Sequence, residues 1–194
     1  MYLRPRVRRS GTAAPAIFPR VDSVLPMATE AATAGRTAIA NTTPKRLAAG
    51  AAGGFLGSLL MGILMGTLNP GTLQMGIPAM YGFEGPALGV GWAFHQYHGV
   101  VLGVGYVLGV ENVRSLRRTA RGLGGAVGLG VGYGVATTAL PVFVMPLWLS
   151  AVGFGGAPPF PNLAVPGTLV SAAMHVVYAV PVALAHYLAA GDAS

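Results

Sequence analysis

Four histidines are the only acidic or basic side chains inside the long apolar runs of this chain: His95, His98, His175 and His186. An ionisable group in membrane hydrocarbon is costly, which makes it a functional candidate by default. His95 and His98 stand three residues apart, and His98 and His175 fall at a similar depth from the same end of their runs. Three chemistries fit this placement. Neutral imidazoles can hydrogen-bond across a helix bundle or to loop carbonyls, which is the plainest expectation. His98 and His175, with His95 assisting, could ligate haem b or a metal ion. The histidines could also line a proton or small-solute path with Gln96, Tyr97 and Glu84, and His186 near its far end. The haem signal is thin, because haem helices usually carry matched histidine pairs and only one cross-run pair is evident. The His95/His98 spacing also differs from the HExxH pair of zinc helices, and the accompanying glutamate is missing.

Other residues add little chemistry. Glu84 is the lone acid between the first two runs; it could pair with a histidine but reads first as a solvated loop charge. Met61, Met65, Met75 and Met80 sit in apolar context and are expected to pack in a core rather than to carry copper. Tyr106, Tyr133 and Tyr178 are expected to donate their hydroxyls to backbone carbonyls. The absence of cysteine excludes disulfides, thiolate zinc sites, iron–sulfur clusters and a cysteine nucleophile. With no serine triad, paired carboxylates or phosphate loop in view, the chain is expected not to be an enzyme.

The elements that must position these residues are membrane helices. Of 194 residues, 53% are hydrophobic and 9% charged, against about 25% charged in a soluble domain. Four runs approach or exceed the roughly 20 residues that cross a bilayer: about 47–68, 90–110, 123–147 and 168–190. Pro141 and Pro181 lie within them and are tolerable there, with local kinks. The expected fold is therefore all-α, an integral membrane four-helix bundle.

Charge sets the expected topology. Eight of the twelve Lys and Arg lie in residues 1–46, and the other four are Arg114, Arg117, Arg118 and Arg121. The other two connections carry no basic residue. Basic segments stay cytoplasmic, so both termini are placed there, in a multi-pass protein of the cell membrane. Trp92 and Trp148 then fall near the outer interface. The net charge of +7 is a topology signal rather than a nucleic-acid-binding face, and the arginine cluster could also hold anionic lipid headgroups. Residues 1–46 are expected to be a disordered basic tail and 191–194 a short cytoplasmic end. Met27 opens a bland segment resembling an ordinary protein start, so residues 1–26 are expected to precede the true start; an intact mass that includes them would refute this.

Two further patterns bear on assembly. The first half reads GGFLGSLLMG, IPAMYGFEGPA, HGVVLGV; the second reads GGAVGLGVGYG, MPLWLSAVGFGGAPP, HVVYAVP. This suggests two tandem helical hairpins related by a pseudo-twofold axis along the membrane normal. Small residues recur at four-residue spacing: Gly50, Gly54, Ser58, Gly62 and Gly66, then Gly99 and Gly103, then Gly124, Gly128 and Gly132. That spacing lets helix backbones approach closely in lipid. The apolar connections 69–89 and 153–167 are expected to cap the bundle mouth, with a re-entrant segment near Ile77-Pro78 as the alternative.

From residue 47 onward, GGFLGSLLMG, IPAMYG and GWAFHQYHGVVLGVGY resemble uncharacterised small polytopic membrane proteins of haloarchaea and some bacteria. A histidine-kinase label sometimes attached to such chains finds no support here, since no ATP-binding box or soluble catalytic domain is present. The resemblance implies no active site. The expected role is a non-enzymatic structural or accessory subunit, homo-oligomeric or part of a larger membrane complex. A haem- or metal-binding electron-transfer subunit is the first alternative, and a small transporter or channel the second.

Overall fold

The computed structural model describes residues 42–191 together with Thr29, Glu30, Ala32 and Thr33. The chain divides into two units, Met1–Thr37 and Ala38–Ser194. In the first, the described residues are helical, and the Thr33 hydroxyl donates to the Thr29 carbonyl at 2.9 Å. Most of the expected tail lies outside the described residues. Its last three residues belong to a helix, because Pro44 suits a first helical turn and Thr43 caps it by accepting from the Arg46 N–H at 3.4 Å.

All regular structure among the described residues is helical. In the second unit α1 covers Pro44–Leu68, α2 Ile77–Ala79, α3 Leu88–Asn112, α4 Arg114–Thr119, α5 Leu123–Thr137, α6 Met145–Ala151 and α7 Gly167–Gly191. A π turn, Thr72–Gly76, precedes α2, and a second, Leu140–Val144, precedes α6. Three helical stretches are long and apolar enough to cross a membrane: Pro44–Leu68, Leu123–Ala151 and Gly167–Gly191. Their outward faces are apolar, with Phe55, Leu56 and Ile63 exposed on α1 and Val131 and Val135 on α5, as lipid contact requires. The chain is accordingly a helical membrane protein with at least three such segments. The fourth long helix, α3, has the same 25-residue length as α1 and α7, but His95, Gln96, His98 and Glu111 dilute its apolar character.

Backbones, more than large side chains, make the helix contacts. A side chain on Gly54 would strike the Gly99 carbonyl, and one on Gly103 the Gly50 carbonyl, so α1 and α3 cross in direct backbone contact. Gly57 meets the Tyr178 carbonyl and Gly53 meets Val182 and Pro181, which seats α7 on the other side of α1. The expected small-residue stripe on α1 therefore holds at Gly50, Gly54, Ser58 and Gly62, but Gly66 faces open space. The expected α5 stripe needs correction. Gly124, Gly128 and Gly132 have nothing beside them among the described residues; Gly130 and Gly134, on the opposite face, pack on α7. A regular glycine repeat cannot say which of two glycine-rich faces meets the neighbour. The order across the bundle is α3, α1, α7, α5. The α3–α5 approach is slighter and runs through Tyr133, whose hydroxyl donates to the Leu102 carbonyl at 2.8 Å.

The two halves share a local device. In each, one N–H reaches five residues back, Ile77 to the Thr72 carbonyl and Met145 to the Leu140 carbonyl, and a buried proline follows, Pro78 or Pro146. Proline has no N–H, so the carbonyl four residues earlier loses its helical donor. Those orphans are Gln74 and Val142. Each is satisfied by a loop: the Ala87 N–H donates to the Gln74 carbonyl and the Asn162 N–H to the Val142 carbonyl, both at 2.9 Å. Backbone groups at membrane depth need such partners, so the prolines dictate where the loops fold back. The connection after α1 thus forms a short helical segment against α3, burying Leu73, Ile77 and Pro78, with Gly91 against the Leu73 carbonyl.

Candidate functional site

Between these two interrupted segments lies a cavity of about 590 Å³ at the loop end of the bundle. Methionines form much of its wall: Met61 and Met65 from α1, Met75 from the first π turn, Met145 from α6 and Met174 from α7. Gly76 approaches the Met145 side chain, so the two interrupted segments meet at its edge. Asn69, Thr72, Asn162, Thr168, Ser171 and His175 supply the polar groups. Flexible, polarizable methionine suits a wall that adapts to an apolar occupant. The size and the few polar points match a small-molecule site.

Of the four histidines, only His175 lines this cavity. Its Nδ1 lies 2.7 Å from the Ser171 carbonyl. A carbonyl can only accept, so Nδ1 carries the proton and Nε2 of the neutral ring is an acceptor. His95 is spent on packing: its Nε2–H donates to the Ser58 carbonyl at 2.9 Å, bridging α3 to α1. His98 pairs with the Tyr81 hydroxyl at 2.5 Å, and Tyr81 stacks on Phe94. Burial raises the Tyr81 hydroxyl above its ordinary pKa, with Tyr97 adding to the rise, so it meets His98 as a neutral donor. His98 and His175 thus have separate partners and do not share the cavity.

No family model, curated protein or solved structure matches this chain.

The proposed path residues are scattered. Glu84 is exposed in the loop, and Gln96 donates to the Phe55 carbonyl at 3.2 Å. His186 is buried at the opposite, basic end of the bundle. There its Nε2 lies 2.7 Å from Glu111 Oε1, while Arg46 donates to Glu111 Oε2 at 2.6 Å. This three-residue cluster ties α1, α3 and α7 together. Sequence reasoning did not connect these three residues. The available signal was that Arg46 opens the first apolar run while Glu111 and His186 stand at or near the ends of the second and fourth, which places all three at the basic end.

The tyrosines behave as expected in two of three cases. Tyr178 donates to the Gly99 carbonyl at 2.9 Å and Tyr133 to Leu102, but the buried Tyr106 hydroxyl has no partner among the described residues. It stands beside Tyr133 and His186, whose buried Nδ1 likewise has no partner among the described residues. Among the described residues, no group of three or more His, Cys, Asp or Glu converges as a metal site would require.

Proposed function

We propose that this is a non-enzymatic accessory protein of the cell membrane whose working surface is the methionine-walled cavity. Its occupant is a small, mainly apolar molecule carrying one hydrogen-bond donor for His175. The observation that carries this reading is the cavity itself, walled by both interrupted segments and by the 154–167 loop, which is pinned to the proline-freed Val142 carbonyl. In this reading α3 also spans, giving four membrane helices as two tandem hairpins about a pseudo-twofold along the membrane normal. The basic end faces the cytoplasm with both termini, and the cavity opens to the outside. The outward Gly124, Gly128 and Gly132 face leaves room for a homo-oligomer or a larger complex.

Transport is the second reading, favoured by interrupted helices flanking a cavity. Against it, the tight glycine contacts of α1 with α3 and α7 lie between the cavity and His186. Ligation of haem b or a metal by His98 and His175 has less support, since only His175 borders the cavity.

The test is extraction of small molecules from the purified full-length protein, comparing wild type with Ser171→Leu and His175→Ala. A compound retained by wild type and lost from Ser171→Leu supports the reading, and one weakened in His175→Ala identifies its donor contact. Identical extracts from wild type and Ser171→Leu would remove the cavity as the working surface.

A further inference from the structure

Arg114, Arg117, Arg118 and Arg121 surround a single cavity of about 210 Å³, and no other described residue lines it. Their spacing puts them on one side of the α4 corner. The other side is anchored, with Leu116 packed on the core and Ala120 buried within it. Gly125 closes the corner against the Thr119 carbonyl. The guanidinium groups are therefore gathered by a fixed backbone.

Among the described residues no acid compensates their charge. The nearest acid in sequence, Glu111, has both carboxylate oxygens engaged, one by Arg46 and one by His186. Among the described residues none of the four arginines has an ion-pair partner. Four like charges around one space repel each other unless an anion bridges them. Arginine matches phosphate through paired N–H donors. Val113 and Leu123, exposed apolar residues, flank the cluster where α3 and α5 reach the corner. That combination, a cationic pocket with apolar shoulders at a helix end, fits the boundary between headgroups and acyl chains.

We propose that the α4 corner binds a multiply charged phosphate anion, the headgroup of an anionic membrane lipid whose chains lie along Val113 and Leu123. This site is separate from the outer cavity and stands or falls independently of it.

The test uses the full chain in detergent micelles, titrated with cardiolipin, phosphatidylglycerol, phosphatidylcholine or inorganic pyrophosphate. Bound mass and thermal stabilisation are the readouts. Cardiolipin is expected to bind best and phosphatidylcholine not measurably. The double variant Arg117→Gln/Arg118→Gln is expected to weaken cardiolipin roughly 25-fold, at roughly fivefold per arginine. Arg117→Lys/Arg118→Lys keeps the charge and serves where the glutamine pair does not fold; it is expected to lose part of the affinity because the paired donors are gone. Pyrophosphate binding that depends on these arginines, without lipid binding, would keep the phosphate site and assign it a soluble source. Equal binding of phosphatidylcholine and cardiolipin, or cardiolipin binding unchanged in the substituted protein, overturns the proposal.

Discussion

His186 and Glu111, 75 residues apart in sequence, meet at 2.7 Å at the basic end of the bundle, where the Glu111 side chain is only 4% exposed. The same carboxylate takes Arg46 on its other oxygen. Three helices are thereby locked in axial register by one acid. Removing one partner of a buried ion pair leaves the others desolvated and unpaired. Glu111→Gln is expected to cost about 3–5 kcal/mol, toward the lower figure because the Arg46 side chain is 25% exposed. Equilibrium unfolding in mixed micelles measures this. A loss below about 0.5 kcal/mol, the range of ordinary surface substitutions, would show that the cluster contributes little to stability.

The glycines divide by what lies beside them. Gly103→Ala places a methyl group against the Gly50 carbonyl and is expected to destabilise by about 1–3 kcal/mol through overpacking. Gly128→Ala meets open space and is expected to be neutral, or to stabilise by up to about 1 kcal/mol through helix propensity. The same unfolding assay compares them, and the reverse order would mean that the helix faces are misassigned.

Two buried tyrosines should respond in opposite ways to loss of the hydroxyl. Tyr178→Phe gives up the bond to the Gly99 carbonyl and is expected to cost about 0.6–1.7 kcal/mol. Tyr106→Phe removes a buried hydroxyl that has no partner among the described residues and is expected to be neutral or stabilising. A loss at Tyr106 as large as at Tyr178 would point to a bridging water at His186 Nδ1.

The chain has no native cysteine, so single cysteines report topology without background. Glu84→Cys and Pro159→Cys are expected to label from outside intact cells, and Ser115→Cys only after permeabilisation. Labelling of Glu84→Cys and Ser115→Cys from the same side would mean that α3 does not cross.

Loop tethering can be tested at the prolines. Pro146→Ala restores a helical donor for the Val142 carbonyl and competes with the Asn162 N–H. Faster hydrogen exchange across residues 153–166 is the expected result, with α1 unchanged. Exchange in that loop identical to wild type would show that the tether does not hold it.

The sequence by itself determined the solvent of this protein. Long apolar runs dictate helices in lipid, because a backbone in hydrocarbon must satisfy its own hydrogen bonds. It also showed small residues at four-residue spacing and the likeness of IPAMYG to MPLWLS, the segments where the paired π turns and prolines lie. What it could not determine were pairings across the bundle. Gly128 and Gly130 look alike in sequence, yet one faces outward and the other packs on α7. His98 and His175 sit at similar depth, yet only His175 reaches the cavity. Nothing in the spacing of Arg46, Glu111 and His186 along the chain says that they meet, yet His186 and Arg46 close on Glu111. Depth along a helix follows from counting residues, but rotation about its axis is set by the neighbours it packs against, and that information exists only in the folded chain.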